Sequence, residues 1–265
     1  MLGNTYAEHP GGKGLNQAVA AARAGARTMF CGAVGSDDAA RQLLDVMANE
    51  GIDDTAVARL DDVPTGRALI GVSGEAENFI IVVPGANGEV APASVADAAA
   101  SASVLLVQLE IPIDAVHAAL AAGRAAGAIT ILNPAPAPPT ALDAETLALC
   151  DVVIPNEHEV ELLGGVDHIL ALGAKAVVVT LGSRGAKLCR PDEPDVLVPA
   201  FRVDPVDTTA AGDAFCGGFA AALAAGSEIV DALRFAAATA ALATTKAGAV
   251  PSLPHRAEID QLLGS

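Results

Sequence analysis

The run DTTAAGDAF occupies residues 207–215. Ala210, Ala211 and Gly212 are small and lead directly into a helical pattern, so backbone N–H groups stand free at the positive end of a helix. Such an end is an anion site. Asp213, a carboxylate beside that anion, is either a helix cap or a base. A cap does not account for the small residues before it, which leave room for a ligand to come close. A base beside a phosphate-stabilising helix end is what phosphoryl transfer to a hydroxyl needs.

Four other groups carry possible chemistry. GGKGLN at 11–16 precedes a helix running to Arg23 and closed by Gly25. It lacks the GxxxxGK[ST] spacing of a phosphate loop. It reads either as a plain glycine turn or as a tight loop whose Gly11, Gly12, Lys13 and Asn16 face a polyhydroxyl ligand. LGSRG at 181–185 follows a strand, at the carboxyl end where α/β ligands bind. Its glycines either admit a nucleotide or make a simple turn. In PNEHE at 155–159, Asn156 and Glu159 share one helical face. They either order the waters of a magnesium ion or form a capping box. His158 is read as solvated. Glu110 closes an apolar run and either accepts hydrogen bonds from sugar hydroxyls or is an ordinary strand-end charge.

Short β-branched runs alternate with alanine-rich helical runs, which is the grammar of βαβ units on a parallel sheet. Strands are expected at 28–33, 104–109, 129–132, 151–154 and 176–181, with 104–109 buried on both faces. Helices are expected at 37–50, capped by Ser36 and ended by Gly51, and at 113–126, 215–225 and 229–245. Residues 67–72 and 78–83 are strand-like and joined by SGEAE without an intervening helix, so they form a small antiparallel flap. The proline-rich stretch 134–139 reads as a rigid loop after a strand.

Composition narrows the class. The chain has 265 residues and is 52% hydrophobic but only 3% aromatic, so it builds a large core from aliphatic side chains. A formal net charge of −17 argues against nucleic acid and anionic membranes as partners, though not against one phosphorylated ligand. Cys31, Cys150, Cys189 and Cys216 make no CxxC pair and read as reduced, mostly buried thiols, which fits a cytoplasmic location. Residues 1–10 show neither a basic nor an apolar leader pattern, so no signal peptide is expected. The richest apolar stretch, 210–226, is interrupted by Asp213 and several glycines and is too short to span a bilayer.

GGKGxNQA, NPAPA at 133–137, PNExE, LGSRG and DTTAAGDAF occur in the order seen in ribokinases. The chain resembles that group of PfkB-type sugar kinases over residues 3–263. The resemblance implies an α/β, three-layer αβα fold with a mostly parallel central sheet and a small antiparallel β lid. It implies one kinase domain over 1–265, with lid segments near 1–10 and 67–83 that also make a homodimer interface. The implied activity is ATP-dependent phosphorylation of a pentose's primary hydroxyl, D-ribose to ribose 5-phosphate. Asp213 is then the base, and Ala210, Ala211 and Gly212 hold the transferring phosphoryl. Gly11, Gly12, Lys13, Asn16 and Glu110 contact the sugar. Asn156, Thr180, Leu181, Gly182, Ser183, Arg184 and Gly185 flank ATP, with Glu159 ordering hydrated Mg²⁺. A monovalent cation, usually K⁺, takes ligands from Asp207, Thr209, Ala243, Lys246, Gly248 and Ser252.

The resemblance also exposes departures. Ribokinases begin with a hydrophobic strand ending in Asn-x-Asp, whose aspartate grips the sugar; here Met1 falls where that group is already in its lid. The expectation is an N-terminally truncated chain lacking that strand and ligand, with a shortened connection at 164–168 and a helix of barely two turns at 166–172. Three readings follow: an active kinase whose start lies upstream, a truncated chain that binds nucleotide with weak or no turnover, and a non-catalytic sugar or nucleotide sensor. The intact Asp213 motif weighs against the sensor, which has no need of a base.

Overall fold

Strands short and apolar enough to be covered on both faces demand helices on both sides, and the chain folds accordingly in three layers. The computed structural model describes residues 7–72, 78–137 and 142–264. Among them, β5 (Val104–Val107), β6 (Ile129–Leu132), β7 (Val152–Val153) and β8 (Val177–Thr180) run parallel, and β9 (Ala186–Cys189) and β10 (Val196–Val198) continue the sheet antiparallel. The order is β10-β9-β8-β7-β6-β5.

Alternation along the strands divides the core. Ile131, Val152 and Val178 point into one buried cluster with α1 (Lys13–Arg23), α8 (Ala211–Ala224), α9 (Ile229–Ala243) and α10 (Arg256–Leu263). Leu132, Val153, Val177 and Val179 point into the other. That side is covered by α3 (Pro92–Ala99), α4 (Ile113–Ala125), α5 (Ala144–Ala148) and α7 (Val166–Ala171). The expectation that the 104–109 run is buried on both faces is corrected: Val104, Leu105 and Leu106 are half-buried, because β5 lies at the edge of the six-stranded sheet.

A second parallel pair, β1 (Met29–Gly35) and β2 (Asp53–Leu60), is joined by α2 (Asp38–Asn49) and has its own core of Val34, Met47, Ile52 and Val57 with Leu15 and Val19 of α1. The cap of α2 is Asp37 rather than Ser36. Asp37 has an extended backbone and accepts the Ala40 N–H at 2.9 Å, while the Ser36 hydroxyl donates to Asp61 instead. The flap forms as expected, β3 (Arg67–Val72) pairing antiparallel with β4 (Asn78–Val83), and leaves Leu69, Ile81, Val82 and Val83 exposed. Its connection at 73–77, prolines 138 and 139 of the proline-rich stretch, and residues 1–6, on which the expected lid strand and truncation turn, lie outside the described residues.

Close helix packing sets the site's frame. At Gly217 of α8 a Cβ would lie 2.4 Å from the Gln17 carbonyl oxygen and 2.6 Å from the Ala20 Cβ, both on α1. The neighbouring Gly218 meets Thr239 of α9 in the same way, at 2.6 Å. Two adjacent glycines therefore let α8 touch a helix on either side. Arg23, at the end of α1, pairs in bidentate fashion with Glu50 and donates to the carbonyls of Val250 and Leu253. That tethers the segment after α9. Among the described residues, no helix is long and apolar enough to cross a membrane.

Candidate active site

The carboxyl ends of β5 to β8 converge where α1 and α8 begin, as expected for a ligand site in an open α/β sheet. Gly12 caps α1 at φ 99°, a backbone that favours glycine, and so turns the Lys13 N–H toward Glu110, which accepts it at 2.8 Å. One turn on, Asn16 and Gln17 are buried against α8. The Asn16 side-chain amide donates to Asp213 Oδ2 at 2.8 Å, and that of Gln17 to Asp213 Oδ1 at 3.0 Å. The Asn16 Oδ1 atom is buried and accepts no hydrogen bond from any described residue.

Ala210 precedes α8 in the left-handed region, φ 58°, a conformation that costs a non-glycine residue on the order of 1 kcal/mol. That turn aims the helix end at the cleft. The Ala214 N–H bonds the Ala210 carbonyl at 2.8 Å and the Ala211 N–H reaches Thr208 at 3.2 Å. The N–H groups of Ala210, Gly212 and Asp213 meet no acceptor among the described residues. A Cβ on Gly212 would find open space. The cleft here, about 160 Å³, is lined by Lys13, Asn133, Asn156, Glu159, Thr180 and the 210–213 turn.

Burial shapes the electrostatics of the three carboxyl groups in and beside the cleft. Burial pushes the Asp213 carboxyl up, offset in part by the Asn16 and Gln17 hydrogen bonds and by Lys13. Burial also raises Glu110, against the Lys13 N–H and ammonium, and raises Glu159, against the Asn156 N–H and Lys13. Three desolvated carboxylates share one ammonium, so negative charge is left uncompensated. Among the described residues no three His, Cys, Asp or Glu side chains are grouped as metal ligands, so Glu159 could hold a divalent cation only through the ion's water shell.

Residues 1–256 match the pfkB family carbohydrate kinase model. The chain belongs to this family. It is therefore an ATP-dependent carbohydrate kinase of the ribokinase group. It is 38% identical to the ribokinase of Haemophilus influenzae, over 99% of this chain and 90% of that one. It is also 35% identical to the deoxyribokinase of Salmonella typhi, over 96% and 87%. The structure of Arabidopsis thaliana ribokinase complexed with ribose and ATP superposes with a TM-score of 0.89 at 31% identity, over 96% of this chain and 88% of that one.

Within this PfkB kinase, the structure sorts the sequence-derived residues. Lys13, Asn16, Glu110 and Asp213 come together, as do Asn156, Glu159 and Thr180 on the cleft wall. Asn156 and Glu159 also form the capping box of α6 (Glu157–Leu162), with both bonds at 2.8 Å. The 181–185 loop does not line the cleft. Gly182–Arg184 is a 3-10 turn, Ser183 and Arg184 are exposed, and Arg184 pairs with Glu157. Gly185 has a structural reason to be glycine, since a Cβ there would sit 2.0 Å from the Val198 carbonyl oxygen.

In the proposed cation loop, Asp207 accepts the Thr209 hydroxyl at 2.6 Å and N–H at 2.8 Å, and the Gly248 N–H at 2.8 Å. The Thr209 hydroxyl, more than the N–H groups, holds the Asp207 carboxyl below its usual range. Ala243 ends α9; Lys246 directs its ammonium to Glu258, and the buried Ser252 donates to the Ala249 carbonyl. Gln17, Asn133 and Gln108 carry no role in the sequence reading. The available signal was a run of two amides, Asn16-Gln17, in an otherwise apolar helical stretch.

Proposed function

We propose that the chain transfers the γ-phosphoryl group of ATP to the primary hydroxyl of a pentose, converting D-ribose to ribose 5-phosphate. Asp213 takes the hydroxyl proton as the oxygen attacks in line, ADP leaves, and the N–H groups at the start of α8 stabilise the charge on the transferring group. The observation that carries this reading is the unpartnered, buried Asn16 Oδ1 beside the Asp213 carboxylate. An acceptor left unpaired in the interior is costly, and a sugar hydroxyl supplies the missing donor. Glu110 and Lys13 flank the same space and complete a polar pocket for hydroxyl groups.

Thr180 and Asn156 on the wall, with the 181–185 loop beyond, belong to the nucleotide side. Glu159 would hold Mg²⁺ through water, and the bound ion would neutralise phosphate charge. Asp207, Thr209, Ala243, Lys246, Gly248 and Ser252 would hold K⁺, partly by backbone carbonyls, fixing the backbone that leads into α8. The chain acts as one kinase unit in the cytoplasm. The exposed aliphatic face of the β3–β4 hairpin serves as lid and dimer contact.

The test is incubation with ATP, Mg²⁺ and either ribose or 2-deoxyribose, followed by mass spectrometry and NMR of the products. Faster formation of ribose 5-phosphate is expected. Preferential phosphorylation of 2-deoxyribose would overturn the ribose assignment, and phosphorylation of neither would overturn the pentose class.

A further inference from the structure

We infer that Gln17 is a positioning residue for the phosphoryl-transfer reaction: its side-chain amide is a directionally locked hub that fixes the orientation of the Asp213 carboxylate against the ends of three strands. The inference rests on the reading of Asp213 as the base. Gln17 is 1% exposed, and both N–H groups and the oxygen of its amide are engaged. Nε2 donates to Asp213 Oδ1 and to Asn133 Oδ1, each at 3.0 Å, and Oε1 accepts from the amide of Gln108.

The polarity of this network follows from chemistry as well as from coordinates. An ionised carboxylate and a backbone carbonyl only accept. Asp213 therefore requires the nitrogen of Gln17. At the far end, the Ile154 carbonyl receives the Asn133 Nδ2 at 2.8 Å, which turns the Asn133 oxygen toward Gln17. With both ends closed by acceptors, neither amide has a reason to flip. The hub thus joins Gln108 after β5, Asn133 after β6 and, through it, Ile154 after β7 to Asp213 on α8. Asn16 holds the other carboxylate oxygen, so rotation of the carboxylate breaks a bond on either side.

A donor of this kind stabilises the ionised base in a site whose burial opposes ionisation. The charged and titratable groups facing Asp213 are Lys13 from α1, Glu110 beyond β5, Glu159 from α6 and Cys216 on α8. All remain when Gln17 alone is changed.

The experiment compares pH profiles of kcat/KM for the parent, Gln17→Met, Gln108→Leu and Asp213→Asn, with ATP affinity and melting measured alongside. Loss of one charge-assisted bond is expected to move the acid limb of Gln17→Met up by about one pH unit, with ATP affinity retained. Gln108→Leu, which only unlocks the amide, is expected to move it less and in the same direction. It carries the test if Gln17→Met does not fold. A fall in activity with an unmoved acid limb in the folded variant overturns the positioning role while leaving the base reading intact. Parent-like turnover by Asp213→Asn overturns both.

Discussion

Gly217→Ala is expected to damage catalysis through geometry. The added Cβ would lie 2.4 Å from the Gln17 carbonyl oxygen, 2.6 Å from the Ala20 Cβ and 3.0 Å from the Ala21 nitrogen. Favourable contact lies near 3.5 Å, so α1 must retreat by about 1 Å. The nearest atoms include helix backbone, which yields only if the whole helix moves. Overpacking of this kind costs roughly 1–3 kcal/mol, or a fall in Tm of roughly 2–12 °C. Asn16 and Gln17 ride on α1, and a misplacement of about 1 Å near reacting groups costs roughly 10²-fold. Gly218→Ala is the matched control. It brings a Cβ of α8 within 2.6 Å of the Thr239 side chain on α9, and α9 carries none of the hydrogen-bond partners of Asp213. Thermal melting and steady-state kinetics on both variants decide the matter. A catalytic loss in Gly217→Ala no larger than in Gly218→Ala, at comparable loss of stability, would refute the argument that α1 is the frame of the site.

Glu159→Gln keeps an acceptor for the Asn156 N–H while removing the charge, so α6 should melt as before while the Mg²⁺ needed for half-maximal activity rises by roughly 10–100-fold; an unchanged Mg²⁺ requirement leaves Glu159 as a cap alone. Activity is expected to be higher in K⁺ than in a large organic cation, and Asp207→Ala should abolish the difference; equal rates in the two salts contradict the cation loop. As the proposed base, Asp213 must be deprotonated to act, so kcat/KM is expected to fall as pH drops through its pKa. Burial raises that pKa, so the acid limb should lie above the ~3.9 of a free aspartate, and a limb at or below that value contradicts the assignment.

The parallel strands β5 to β8 are legible because each is a short apolar run, and α2 and α4 because a glycine follows each. The strands that escape notice lack that signature. β2 reads DDTAVARL, and only Val57 of its eight residues is buried. β9 and β10 are four and three residues long and separated by a charged, proline-containing turn. The α2 cap is misplaced by one residue because Ser36 and Asp37 are both good caps by type, and only the backbone at Asp37 decides between them. At the site, the small-residue turn before α8 and its aspartate are legible because they are contiguous in the sequence. The amide hub is not, since it joins positions 17, 108, 133 and 213, which meet only when the sheet and two helices close. At 181–185, Gly185 is required by the neighbouring strand β10, because a Cβ there would meet the Val198 carbonyl oxygen.

The most direct test of the account is the turnover of Asp213→Asn with ribose, measured beside its affinity for ATP. The substitution keeps the shape of the side chain and removes its capacity to take a proton. General-base catalysis is worth roughly 10²–10⁴-fold, so kcat should fall by that factor while ATP binds as it does to the parent. Turnover within about tenfold of the parent, at equal ATP affinity, would contradict the assignment of Asp213 as the base.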